Sequence, residues 1–145
     1  MINITQQKKN LLIQIRELTH SQTAAITSKD VKSFLQKGDQ KQQLIEKVKA
    51  LDAQFESEYA RIKRQSEQED FAKVLSQHID IKDVQRNIQE IQTIIDDIRM
   101  LEAENKEKYN NMLLTIQSSV QQAVVNKQEN VLKYKRMNEY KKNKQ

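Results

Sequence analysis

The chain contains no cysteine, no proline and no tryptophan, and its only glycine is Gly38. Each absence removes a class of structure or chemistry. Without cysteine there are no disulfides and no thiolate metal sites. Without proline, and with one glycine, the residues that most reliably interrupt helices are almost missing. A single glycine also rules out a phosphate-cradling loop and a glycine-framed nucleophile elbow. No apolar run approaches the roughly 18 residues that a membrane-spanning helix needs. Residues 1–10 lack the basic and apolar segments of a secretory signal, so a cytoplasmic location is expected. Asn-Gly and Asp-Gly hairpin turns are absent, as is sustained period-two alternation, so no strands are expected.

What remains is helix-compatible throughout, and the expected fold class is all-α. Of 145 residues, 37% are hydrophobic and 5% aromatic, which predicts a thin, aliphatic core. An elongated antiparallel hairpin or bundle of three to four helices, with a long C-terminal helix, suits such a composition. The 31% of charged residues can cover the large helix surface left in water. No repeat with a period of about 20–50 residues is visible, which argues against a solenoid.

The net charge of +5 resides in one place. Residues 131–145 hold six basic residues against Glu139, and the first 130 residues balance at 19 basic and 19 acidic. A neutral body has no field to steer a polyanion, so only the tail favours one. Residues 1–132 therefore read as a helical bundle domain and 133–145 as a basic, flexible tail.

Hydrophobic spacing divides the body. A first helix over about residues 5–25 carries a stripe of Ile4, Leu11, Ile15, Leu18 and Ala25. Ser and Thr crowd residues 19–30, predicting a turn, with Ser28 or Asp30 capping the next helix. That second helix runs to about Arg64, with a kink or short break expected at Gly38. Ser66 and Glu69 form a capping-box pattern, and Asp80 and Asp83 offer a further start. Val84, Ile88, Ile91, Ile95 and Ile98 then alternate spacings of four and three, a coiled-coil-like seam. Beyond the polar residues 102–108 the stripe resumes at Tyr109, Met112, Ile116, Val120 and Val124.

No reactive constellation emerges. His20 and His78 are the only histidines, far apart and without an orienting partner pattern. Asp96 and Asp97 point about 100° apart on a helix, so they do not converge. Glu102 and Glu104 stand four residues before Lys106 and Lys108, the spacing of surface ion pairs. A non-enzymatic protein without metal or cofactor is expected.

The candidate site is instead apolar: Met112, Ile116, Val120 and Val124, broadened by Ala123 and Val125, and continued by Val131, Tyr134 and Met137. Simple core packing explains such a stripe, and so does a face that outlasts its intramolecular partners and docks another protein. The basic tail reads as a solvated helix end, a docking segment or a site for nucleic acid or anionic lipid. A lipid-binding helix normally carries a larger apolar face.

Three features together resemble a known family. A Ser/Thr-interrupted first helix is followed by Leu44-Ile45-Glu46-Lys47-Val48-Lys49-Ala50-Leu51-Asp52. A long helix then ends near Gln128-Glu129-Asn130-Val131-Leu132-Lys133-Tyr134, with a Lys-rich stretch beyond. This layout is similar to flagellar export chaperones of the FliT type, and less closely to the FlgN type. The resemblance implies a cytoplasmic helical chaperone that keeps a late flagellar structural subunit soluble, a filament cap or hook–filament junction protein, and delivers it to the type III export apparatus. It implies no small-molecule substrate and no membrane insertion. Partner binding would then fall to Met112, Ile116, Val120, Val124, Val131 and Tyr134. The alternatives are a structural coiled-coil protein, a homodimer through the 84–98 seam, and nucleic-acid binding through the tail.

Overall fold

A computed structural model describes residues 1–67, 70–78 and 81–143, apart from the side chains of Phe71, Leu75, His78 and Asn143. Among the described residues there are four helices and no strand: α1 (Ile2–Thr27), α2 (Val31–Gln65), α3 (Phe71–His78) and α4 (Ile81–Asn143). The all-α class expected from composition is what the chain adopts. The chain divides into two compact units, Met1–Lys106 and Glu107–Gln145. The division falls inside α4, and the basic residues from Lys133 to Lys142 are helical.

In the first unit, cross-helix pairs fix the directions. Lys8 pairs with Asp52 at 2.7 Å, and Gln22 bonds Lys41 at 2.9 Å, so α2 runs back along α1. Thr5 meets Asn87, Arg16 meets Asp97 and Thr23 meets Asn105. These pairs keep an almost constant offset in sequence, so α1 and the first part of α4 run parallel. The short α3 lies between them in sequence, where Val74 is fully buried and Ile62 of α2 nearly so. The core is thin and aliphatic. Leu12 and Ile15 of α1 pack with Ile91, Ile94 and Ile98 of α4, flanked by Leu44, Ile45 and Val48 of α2.

The turn between α1 and α2 is built from hydrogen bonds. Asp30 N–H donates to Ala25 O and Lys29 N–H to Ile26 O, the paired bonds of a Schellman ending. Lys29 occupies the left-handed region at φ 57° that such an ending requires. Asp30 then caps α2, its carboxylate accepting from Ser33 N–H at 3.0 Å. The crowded hydroxyls upstream do not end α1 early. Thr19, Ser21 and Thr27 each donate to a carbonyl four residues back, which satisfies them within the helix. The capping box of Ser66 with Glu69 reaches outside the described residues. Ser66 closes α2, and Asp70 takes the first bonds of α3, from Ala72 and Val74.

Four expectations shift. α2 passes through Gly38 without a break. A Cβ there would stand 3.4 Å from Gln22 Nε2, which donates to Phe34 O one turn earlier. The α1 stripe holds at Ile4, Ile15 and Ala25 and lies one residue round elsewhere. Leu12, Ile15, Thr19 and Gln22 are buried, while Leu11 and Leu18 are half-buried. The α4 seam likewise keeps Val84, Ile91 and Ile98 and otherwise turns inward at Asn87, Ile94 and Asn105, leaving Ile88 exposed and Ile95 half-buried. Polar residues took positions that a hydrophobic scan assigns to their neighbours. Asn87 Nδ2 donates to Thr5 Oγ1 at 3.0 Å. Asn105 Nδ2 donates to Thr19 O at 3.0 Å, and its Oδ1 accepts from Thr23 at 2.6 Å. The ion-pair partner of Glu102 is Lys41, at 2.6 Å, rather than the Lys106 expected one turn on.

The salt bridges are mostly solvated and therefore weak. Lys9 donates to Glu90 and, with Arg86 nearby, holds its carboxyl below the usual carboxylate range, against a smaller opposing push from lost hydration. A lowered folded-state pKa stabilises the fold above the unfolded pKa and stops doing so as pH falls through the folded one. The stability difference between the wild type and E90Q, followed by urea titration at a series of pH values, therefore shrinks as the solution is acidified.

Two substitutions test the packing. G38A adds a Cβ at ordinary contact distance and removes the entropy of glycine, so it raises stability by about 0.5–1 kcal/mol. N105A strands the groups it held on α1 and lowers stability by about 1–3 kcal/mol, read as a shifted urea midpoint at unchanged slope.

Candidate protein-docking surface

The second unit, Glu107–Gln145, is a single helix as far as Asn143. Its amino acids explain why so little of it is covered. The seam of the first unit repeats every seven residues at 84, 91, 98 and 105, with 87, 94 and 101 between. Continued in sequence, the same frame reads Lys108, Met112, Thr115, Ser119, Gln122 and Asn126. Only Met112 in that series is apolar, and it is buried at 7% exposure. No described residue after it is buried or half-buried.

A different set of apolar residues occupies this helix. Ile116, Val120, Val124, Val131 and Tyr134 lie at spacings of four, four, seven and three. At about 100° per residue they fall within one arc roughly 80° wide, with Ala123 and Leu113 alongside. Ile116 is 38% exposed, Val120 58% and Tyr134 67%. Of the six residues expected to bind a partner, five share this accessible arc. Met112 does not belong to the accessible set: it is buried, as the last apolar member of the heptad frame. Leu113 and Met137 extend the arc at its two ends, and Leu113 was missed because its neighbour Met112 fitted the heptad. Leu114, Val125 and Leu132 lie on the opposite side at wider spacing and are also exposed.

Residues 109–126 form eighteen consecutive positions without a single Asp, Glu, Lys or Arg, in a chain that is 31% charged. The polar side of this stretch is Asn, Gln, Ser and Thr. No helix of the chain, within the described residues, is long and apolar enough to cross a membrane. The stretch also lacks the i,i+4 ion pairs that support solvated helices. Its local support comes from bonds such as Gln122 to Asn126 and Thr115 to Asn111. Ser, Thr and Val are mediocre helix formers, so an uncovered helix of this composition gains its stability only by packing.

The first unit offers two surface grooves and no convergent chemistry. One lies along α1 and α2, lined by Leu11, Ala50 and Leu51 with polar residues around them. The other brings His20, Glu17, Glu104 and Asp97 to one side of α1 and α4. There Asp97 accepts from Arg16 at 3.0 Å, while its neighbour Asp96 accepts from Gln92, so the adjacent carboxylates diverge. Among the described residues no group of three or more metal-capable side chains comes together.

Charges placed in the two units must act differently. I116D together with V120D changes stability by no more than about 0.5 kcal/mol, because both side chains already meet water. I94D buries a carboxylate in the aliphatic core and costs about 3 kcal/mol or more. Amide hydrogen exchange separates the units further: residues 113–143 exchange through local opening, well ahead of the α1 and α4 core around Ile15 and Ile94.

Comparison with known proteins finds no matching family model, no matching curated protein and no matching solved structure.

Proposed function

We propose that this chain binds an amphipathic helix of another protein along the arc from Leu113 to Met137, and that it acts as a cytoplasmic export chaperone of the FliT type. One observation carries the reading: an apolar helix face, contiguous and exposed, sits on a segment whose own heptad frame has turned polar. Exposed apolar faces of this kind mark partner sites, and a helix partner suits spacings of three, four and seven. A chaperone for export needs reversible capture of a terminal helix that would self-associate if left uncovered. It needs no catalysis, and the residues here offer no nucleophile–base pair. The resemblance in layout to flagellar export chaperones supplies the class of cargo, a filament cap or hook–filament junction protein.

The rival dimer through the 84–98 seam is less well supported. Ile91, Ile94 and Ile98 of that seam pack against Leu12 and Ile15 of the same chain.

A pull-down from the source cell decides the matter. The full chain retains a flagellar cap, junction or export component in stoichiometric amount, and bait carrying I116D and V120D loses it. Retention of none of these components, or equal retention by both baits, overturns the proposal.

A further inference from the structure

The charges of the second unit are sorted by face. At about 100° per residue, Lys127 falls within the apolar arc, Lys142 lies at one edge with Lys135 about 20° beyond it, and Lys141 lies about 20° beyond the other edge. Lys108 and Lys133 stand about 80–100° from that other edge. Glu107, Glu129 and Arg136 fall on the far side, and Glu139 about 60° from the arc. The sorting is also lengthwise. The arc is flanked by uncharged residues up to Asn126 and by lysines from Lys127 onward.

This pattern discriminates between occupants. A second copy laid parallel brings lysine edges together in its C-terminal half, which repels, and one laid antiparallel sets the lysines against uncharged residues and leaves them without an acidic partner. A membrane surface attracts the lysines, yet the arc offers Val, Ala and Ile where an interfacial helix normally places Trp, Phe and Leu. Its most apolar half also carries no cation to hold it against anionic lipid. A helix with acidic edges satisfies both halves, since oppositely charged positions beside a helical seam set partner choice and orientation.

We infer that the face accepts an amphipathic helix with two zones, acidic beside its apolar stripe where it lies against residues 127–142 and uncharged where it lies against residues 113–126. The inference rests on the docking reading above and adds the partner's chemistry to it. The lysines supply orientation and speed of encounter, and the apolar arc supplies most of the affinity.

The test uses the full chain and two designed peptides of about four heptads, each with a leucine seam. Both carry glutamine beside the seam in one half. In the other half one peptide carries glutamate and its twin lysine. Binding is followed by fluorescence anisotropy. The glutamate peptide binds at least about tenfold more tightly than the lysine peptide, and the gap narrows as salt is added. A chain carrying K127E, K135E and K142E reverses the order. Equal binding of both peptides overturns the charge inference and leaves the docking reading standing. Binding of neither peptide removes the docking reading itself. Two further results also overturn the inference. One is sedimentation of the chain as a dimer that excludes the glutamate peptide. The other is tighter binding to phosphatidylserine vesicles than to that peptide.

Discussion

The parallel contact between α1 and the first part of α4 is the constraint on which the first unit depends. Two helices adjacent in sequence form an antiparallel pair readily, since a short turn joins them. A parallel pair is different: the chain must travel the length of α2 and α3 before α4 can begin beside the start of α1. Nothing local then sets the register. An aliphatic seam alone sets it loosely, because isoleucines slide past one another at modest cost. Buried polar pairs set it sharply, since each is satisfied only in one alignment. Asn87 finds Thr5 near one end of the contact, and Asn105 finds Thr19 and Thr23 near the other. Lys41, mostly buried, ties α2 to both neighbours through Gln22 and Glu102.

The same residues explain how the two halves of α4 differ. Up to Asn105 the seam positions Asn87, Ile91, Ile94, Ile98 and Asn105 have partners on α1. Beyond Met112 the heptad frame supplies only polar residues, while apolar ones collect on a separate arc. Charge follows the same division. Met1–Lys106 is neutral, and the whole excess of +5 belongs to Glu107–Gln145. One unit is thus closed electrostatically and hydrophobically, and the other is open in both respects. An open helix with sorted charge is what recognition of a second helix requires, and the proposed chaperone role is built on that difference.

Much of this was legible residue by residue. The absence of proline and the single glycine announced three to four helices with few breaks, and Asp30 was readable, with Ser28, as a candidate cap ahead of Val31, Phe34 and Leu35. The exposed arc was visible too, in the spacing of Ile116, Val120, Val124, Val131 and Tyr134. Met112 looked like a member of it and is not, because on one helix a buried position and an exposed one can both keep helical spacing. Gly38 looked like a break, yet α2 runs through it, and a Cβ there would meet Gln22 of another helix at ordinary contact distance. The seam of α4 was misplaced by one residue at two points, where Asn87 faces inward in place of Ile88 and Ile94 in place of Ile95.

The sequence alone determined helix content, the position of the first turn, the aliphatic character of the core and the concentration of positive charge at one end. These follow from local backbone preference and from composition, which need no partner. Tertiary structure decided which of two neighbouring residues faces inward, that α4 runs parallel to α1, that Glu102 pairs with Lys41, and that Met112 is covered while Ile116 is not. Those outcomes depend on groups brought together from some 20 to 85 residues apart. A buried asparagine is acceptable only once a threonine from another helix stands opposite it, and no one-dimensional pattern records that meeting.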